Sequence, residues 1–172
     1  MGFKLKQIGN GREKSVVTRT IPVAVAANAT LTLAKDDVLA VVYTEGASSS
    51  YTITAAVAKL GHQTKGVGFF CVTKAVSYTA GGDGGTVNVT GFDIEPDMIF
   101  ETVAGADLSG CVVGAEYLLN SSGKLSTSVA GMGMNNTASY RGVILYDKTG
   151  ATADGKPVLV KFPSANRPNA HV

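Results

Sequence analysis

The stretch TAGGDGGTVNVTG, residues 79–91, contains the densest group of glycines in the chain and decides how the middle of the sequence folds. Alternating residues lead into it through Val76 and Tyr78 and leave it through Val87 and Val89. Glycine adopts the positive φ angles that close tight loops, so strand, glycines and strand predict a β-hairpin. A phosphate-binding loop would need G-x-x-x-x-G-K-[ST] before a helix, and a calcium loop would need several carboxylates, whereas Asp83 stands alone. We therefore interpret the stretch as a turn.

The composition indicates an all-β protein with a partly covered surface. Of the 172 residues, 45% are apolar and only 16% are charged, which is below the usual share of charge in soluble proteins. The chain has 21 glycines and no tryptophan, and its many small residues and threonines favour strands and tight turns over long helices. We predict a β-sandwich or a small β-barrel built of hairpins, with an extended N-terminal arm and a C-terminal tail. The shortage of charge predicts that some surface is buried in an assembly.

The sequence divides into four regions. Residues 1–20 are a basic N-terminal arm, residues 21–97 and 98–163 are two β-rich regions that share one core, and residues 164–172 are an extended tail. The boundary inside the β-rich part follows from Pro96, which interrupts the strand pattern. The apolar run over residues 38–43 predicts a strand that is buried on both faces. Over residues 54–60 the pattern predicts a strand, with a short helix as the alternative.

The positive charges are concentrated in the arm. The net charge of +2 is too small to indicate a nucleic-acid partner, and basic and aromatic residues do not alternate on one strand face. The arm is interpreted either as a solvated segment or as an element that docks on an acidic protein surface. In the second interpretation, the predicted contact residues are Lys4, Lys6, Arg12 and Lys14.

Catalytic residue types are few. Hydrolytic and transfer enzymes commonly need a base that titrates near neutral pH, and the chain has only two histidines, His62 in a turn and His171 in the tail. Cys71 and Cys111 lie in apolar, strand-like runs, which predicts buried free thiols rather than activated nucleophiles. We therefore expect no enzyme activity, no catalytic residue and no cofactor.

The acidic group Asp93, Glu95 and Asp97 has the spacing that would place three carboxylates on one face of an extended segment. We interpret it as a solvated turn, with a weak divalent-cation site or a contact with a basic partner as the alternatives. No CxxC or HExxH motif indicates a metal site. No stretch has the features of a signal peptide or of a membrane span, so we expect synthesis in the cytoplasm and no membrane association.

The region from residue 104 to residue 162 carries the most specific motifs. It begins with AGADLSG and continues as a strand, a hairpin, a second strand and an edge strand. The residues that mark these elements are Gly114, Tyr117, Leu118, Gly123-Lys124-Leu125, Gly142-Val143 and Asp154-Gly155, followed by Val158 and Val160. This order of motifs resembles the small β-rich cement or decoration proteins of tailed-bacteriophage capsids.

The resemblance implies a non-enzymatic virion protein, made in the host cytoplasm and located on the capsid surface. It would bind the major capsid protein on the outside of an expanded head, as a homotrimer, and fasten neighbouring capsomers. A basic arm and a tail with prolines suit such a clamp, because strand addition to a neighbour supplies backbone hydrogen bonds. The alternatives are a tail-tube or other tail structural protein, which would stack into rings or tubes, and a carbohydrate-binding or adhesin module, which the absence of tryptophan disfavours.

Overall fold

A computed structural model describes residues 2–8, 16–45, 51–54, 68–120, 122–129 and 142–163 of the chain. The described residues form thirteen strands and no helix, which confirms the predicted all-β class. In chain order the strands are β1 (Lys4–Ile8), β2 (Arg19–Val25), β3 (Thr30–Leu33), β4 (Val38–Glu45), β5 (Tyr51–Thr54), β6 (Gly68–Val72), β7 (Val76–Thr79), β8 (Gly85–Asp93), β9 (Met98–Val103), β10 (Glu116–Leu119), β11 (Leu125–Val129), β12 (Val143–Asp147) and β13 (Pro157–Lys161).

The strands form three antiparallel sheets. The six-stranded sheet has the order β1-β9-β13-β12-β10-β11, and the five-stranded sheet has the order β2-β8-β6-β4-β5. Among the described strands, β3 and β7 pair only with each other. These sheets stay open in the described part of the chain, so of the two predicted architectures the β-sandwich is the one observed.

The glycine stretch is a turn, as predicted, but it does not close a hairpin. Strand β7 precedes the turn and pairs with β3, whereas β8 follows it and pairs with β2 and β6. Strands β2 and β3 thus run against β8 and β7 as one bent two-stranded ribbon. At the bend, Asn28 and Gly84 have positive φ angles of 57° and 80°, and the Asn28 N–H donates to the Gly81 carbonyl at 3.0 Å. The predicted hairpin is wrong because alternation fixes where strands lie and not which strand each one pairs with.

The five-stranded sheet lies between the other two, and the described side chains of β6 and of the start of β4 are buried on both of its faces. One face contributes Val38, Phe69 and Cys71 to a core shared with the six-stranded sheet. The opposite face contributes Leu39 and Phe70 to a second core shared with β3 and β7. Neighbouring residues of a strand point to opposite faces, so the pairs Val38–Leu39 in β4 and Phe69–Phe70 in β6 each serve both cores. This explains the continuous apolar sequence of these strands, including the start of the predicted strand over residues 38–43.

Phe162, directly after β13, joins the two β-rich regions. Its buried ring packs against Phe3, Phe69 and Phe100 with centroid separations between 5.0 and 5.2 Å. The ring planes are tilted or edge-to-face, the arrangement that aromatic pairs prefer. Residues on both sides of Pro96 therefore contribute to one core.

Part of the basic arm belongs to a sheet. Strand β1 pairs with β9 at the edge of the six-stranded sheet. Phe3 is buried beside it, and the Phe3 N–H donates to the Asp36 carbonyl at 2.7 Å. The stretch FKLKQI, residues 3–8, alternates apolar and polar side chains at its start, which is the pattern of a half-buried strand. Residues 9–15 of the arm, the tail over residues 164–172 and residues 55–60 of the alternative helix lie outside the described residues.

Candidate binding surface

Lys4 and Lys6 lie on β1, at one edge of the six-stranded sheet. Phe3 is buried and the partly buried Leu5 packs against the same core, so these two side chains anchor β1 to the core. Both lysines are exposed, and the Lys6 Nζ lies 3.0 Å from the Glu101 Oε2 on β9. The structure therefore brings two of the four predicted contact residues together on a defined strand.

The other two predicted contact residues, Arg12 and Lys14, lie outside the described residues, as do His62 and His171. The Lys6–Glu101 pair is open to solvent, with 39% and 34% of the two side chains exposed. Exposed ion pairs contribute only about 0–1 kcal/mol to stability. Breaking the Lys6–Glu101 pair would therefore cost little free energy, and the Lys6 ammonium is open to other carboxylates.

Three of the motifs quoted from residues 104–162 meet at one end of the six-stranded sheet. Lys124, in the turn between β10 and β11, donates from its Nζ to Asp154 Oδ1 at 2.7 Å, in the turn before β13. This hydrogen bond holds the pKa of the Asp154 carboxyl below its usual value. The Ala104 N–H donates to the Lys156 carbonyl at 2.8 Å, and the Gly155 N–H donates to the Ala104 carbonyl at 2.9 Å. Three motifs that are distant in sequence thus form one hydrogen-bonded unit.

The loop between β9 and β10 is held by its own polar groups. Leu108 is fully buried, and its N–H donates to a carbonyl of the β12–β13 loop at 3.0 Å. Asp107 Oδ1 accepts the Ser109 N–H at 2.8 Å, and hydrogen bonding by Ser109 lowers the pKa of Asp107. The Lys148 ammonium donates to the Ser109 carbonyl at 2.6 Å and also to the carbonyl of Cys111. The backbone of this loop is therefore fixed although it carries no regular structure.

The same loop exposes Val112 and Val113, two residues that the sequence analysis does not single out. The prediction of a strand-like run around Cys111 is wrong, because the segment turns: the Val112 N–H donates to the Tyr117 hydroxyl at 2.7 Å, and Gly114 has a φ of 89°. An apolar pair ended by a glycine in the left-handed region is a turn rather than a strand. Gly114 is the signal in the sequence that could have identified this turn.

Asp93, Glu95 and Asp97 do not form one row of carboxylates. Arg19 binds Asp93 through two hydrogen bonds, 2.6 Å from Nε to Oδ2 and 2.7 Å from Nη2 to Oδ1. The chain then turns, with the Met98 N–H donating to the Glu95 carbonyl at 3.1 Å. The extended geometry that a three-carboxylate site requires is therefore absent from residues 93–98, and the interpretation as a turn fits.

Both cysteines are free and buried, as predicted. Burial, reinforced by the nearby carboxylates of Asp36 and Asp37, raises the pKa of the Cys71 thiol to about 12. The thiolate is the nucleophilic form of cysteine, so Cys71 is inert at neutral pH. Cys111 differs from its prediction only in lying on a turn.

No family model, curated protein or solved structure matches the chain. Within the described residues, no three histidine, cysteine or acidic side chains are grouped as a metal site would require. In the same part of the chain, no helix is long and apolar enough to cross a membrane. What the chain binds must be inferred from its surface, where the two edges of the six-stranded sheet differ in charge: β1 carries lysines and β11 carries no charged residue.

Proposed function

We propose that the chain is a structural protein of a tailed-bacteriophage virion, which binds the outside of the capsid and bridges neighbouring capsomers. The observation that carries this proposal is the contact between the motifs that resemble decoration proteins. Ala104, Lys124 and Asp154 come from three separate motifs and belong to one hydrogen-bonded unit. An accidental likeness of short turn sequences would not require those turns to meet, so their contact supports a resemblance of structure.

In this proposal β1 supplies the contact with the major capsid protein. Lys4 and Lys6 form a small basic surface at an exposed sheet edge, which complements an acidic patch on the shell. A ligand that binds only the mature shell stabilises it by about 2.7 kcal/mol at a hundredfold excess over Kd. Many copies act on one shell, so a modest affinity at each site suffices, and a homotrimer would add avidity.

The proposal is tested by cosedimentation of the purified protein with expanded heads and with precursor shells of the phage that encodes it. We expect saturable binding to expanded heads and little binding to precursor shells. Replacing both lysines, Lys4→Glu with Lys6→Glu, is expected to weaken binding at least about tenfold and to reduce its salt dependence. Lys74→Glu is the matched control for each of the two β1 replacements made singly, because it changes the charge by the same amount and Lys74 is exposed between β6 and β7, outside the six-stranded sheet.

Absence of binding to both kinds of head would overturn the proposal. Growth of rings or tubes by the purified protein would instead identify a tail structural protein. Equal losses in Lys74→Glu and in the single variants Lys4→Glu and Lys6→Glu would show that binding follows net charge alone, and β1 would then not be the capsid-binding edge.

A further inference from the structure

Two strands of the six-stranded sheet each carry an extra residue with an exposed side chain. The pairing register of β1 with β9 shifts at Lys6, and that of β12 with β13 shifts at Tyr146, so each of these residues is left without a partner in the register. Both side chains are exposed. A bulge of this kind re-aims a side chain, and bulges are over-represented at sheet edges and beside functional sites. The two register shifts therefore draw attention to Lys6 and Tyr146 as candidate contact residues.

Lys6 and Tyr146 lie on the same face of the sheet, the one turned away from the core shared with the five-stranded sheet, which we call the outer face. The side chains that point into that core from β9, β13 and β12 are paired in register: Phe100, Val160 and Leu145. Their neighbours Glu101 and Lys161 therefore point outward. The Lys6 Nζ lies 3.0 Å from Glu101 Oε2, and the Lys161 ammonium lies 4.5 Å from the centre of the Tyr146 ring. Each bulged residue thus contacts an outward side chain.

The outer face has an excess of positive charge over β1, β9 and β13. These strands carry three lysines, Lys4, Lys6 and Lys161, and one carboxylate, Glu101. Lys4 pairs with Glu101 in register and Lys6 forms an ion pair with it, so two ammonium groups share one carboxylate. Lys161 contacts the neutral ring of Tyr146. A surface with more ammonium groups than carboxylates is complementary to an acidic surface.

Tyr146 adds an aromatic side chain to this face. Among the aromatic side chains whose burial the structure describes, Tyr146 alone is exposed, at 42%. Tyrosine is enriched among the residues that carry most of the binding energy at protein interfaces, because its ring buries a large area and its hydroxyl forms hydrogen bonds. Ile144, which pairs with Lys161, and Leu159, which pairs with Glu101, are half-buried on the same face. The lysines therefore lie beside an aromatic and aliphatic surface.

We propose that Tyr146 and Lys161 belong, together with Lys4 and Lys6, to one binding surface whose partner is an acidic and partly apolar patch of the major capsid protein. The inference rests on the proposed function and extends its contact from the edge strand β1 across the outer face to β12. Three inter-strand spacings separate β1 from β12, or about 14 Å, so one patch of a partner reaches Lys6 and Tyr146 at once. The exposed ring and the aliphatic side chains beside it favour a protein over a nucleic acid as the acidic partner.

The test is cosedimentation of single variants of the full chain with expanded heads. Tyr146→Ala and Lys161→Glu are each expected to weaken binding at least about fivefold, whereas Tyr146→Phe keeps the ring and is expected to retain most of the affinity. Lys74→Glu is the matched control for the charge change at Lys161. Val17→Ala is the control for truncation of an exposed apolar side chain, since Val17 is 82% exposed and lies just before β2, outside the six-stranded sheet. Neither control is expected to weaken binding by more than about twofold.

A second measurement uses the wild-type protein and so does not depend on the folding of any variant. Lysines are acetylated in the free and in the head-bound protein, and the extent of labelling is read by mass spectrometry. Lys6 and Lys161 are expected to lose reactivity together on binding, whereas Lys74 keeps it.

The outcomes distinguish the two proposals. Absence of binding to heads would refute the proposed function and this inference with it. Binding that the β1 replacements weaken, but that leaves the reactivity of Lys161 and the affinity of Tyr146→Ala unchanged, would refute this inference alone. Equally strong binding to duplex DNA, lost in the same variants, would overturn the assignment of the outer face to a protein partner.

Discussion

Replacing Phe162 by alanine is expected to destabilise the whole fold, because this one ring connects two sheets. The side chain is 1% exposed and contacts the rings of Phe3, Phe69 and Phe100. Truncation of a buried phenylalanine costs about 3–5 kcal/mol, and loss of three ring contacts places Phe162→Ala towards the upper end. For a chain of this length that corresponds to a fall in Tm of about 6–20 °C.

The assay is urea unfolding followed by circular dichroism and by tyrosine fluorescence, since the chain has six tyrosines and no tryptophan. The matched control is Tyr146→Ala, which removes an aromatic ring from the outside of the same sheet. Its expected cost is within about 1 kcal/mol, because the ring is 42% exposed and the Lys161 ammonium lies 4.5 Å from its centre, a contact of modest strength at an exposed site. A shared core also predicts one transition, reported at the same urea concentration by both probes.

Two results would refute this reasoning. A loss below about 1 kcal/mol in Phe162→Ala would mean that the ring is not packed as the structure has it. Two separate transitions in the wild-type protein, of which Phe162→Ala shifts only one, would mean that the sheets unfold independently and do not share a core.

Three further predictions concern the ribbon bend, the buried thiol and the turn before β13. Gly84→Ala is expected to lower the free energy of unfolding by about 1–2 kcal/mol, because φ is 80° at this position. Gly82→Ala is the control, since no atom lies within 4 Å of a new Cβ there, and its cost should stay within about 0.5 kcal/mol. Equal costs of the two variants in urea unfolding would contradict the described bend. The native Cys71 thiol keeps its proton to about pH 12 while the unfolded thiol loses it near pH 9.0, so the contribution of this thiol to stability declines as the pH rises across that interval. Cys71→Ala should lack this decline. Parallel curves of stability against pH for the two proteins would refute the prediction. The hydrogen bond from Lys124 lowers the native pKa of Asp154 from 3.8, so the stabilising effect of this carboxylate is present above that pH and is lost as the pH falls through the native pKa. Tm measured against pH should therefore show a steeper acid decline for the wild-type protein than for Asp154→Asn. Identical declines would contradict the Lys124–Asp154 pair.

The positions of several turns were predictable from the sequence because their signals are local. The turn at Lys35-Asp36-Asp37 separates β3 from β4, and Asp36 adopts a φ of 69°, which aspartate tolerates better than most residues. Gly123 and Gly155 adopt φ angles of 74° and 82° in the turns before β11 and β13, as the GKL and DG motifs predict. In each case the residue type and its backbone conformation are linked directly.

The pairing partner of each strand could not be predicted from the sequence, and the glycine stretch shows why. Apolar and polar residues alternate in the same way on both sides of this stretch whether β7 and β8 pair with each other or each pairs with a different strand, as in the bent ribbon. The outcome depends on β2 and β3, more than forty residues earlier, whose side chains Ile21 and Leu33 lie in the core beside the bend. A single sequence carries no local signal for such a contact.

The binding surface was partly accessible. Charge alone pointed to Lys4 and Lys6, and the alternation of Phe3 and Leu5 with these lysines was a further signal that the arm begins as a strand. Val112 and Val113 were not accessible through composition, because an apolar pair is expected inside a protein. The described loop places them outside, since its polar groups, and not these side chains, hold its conformation.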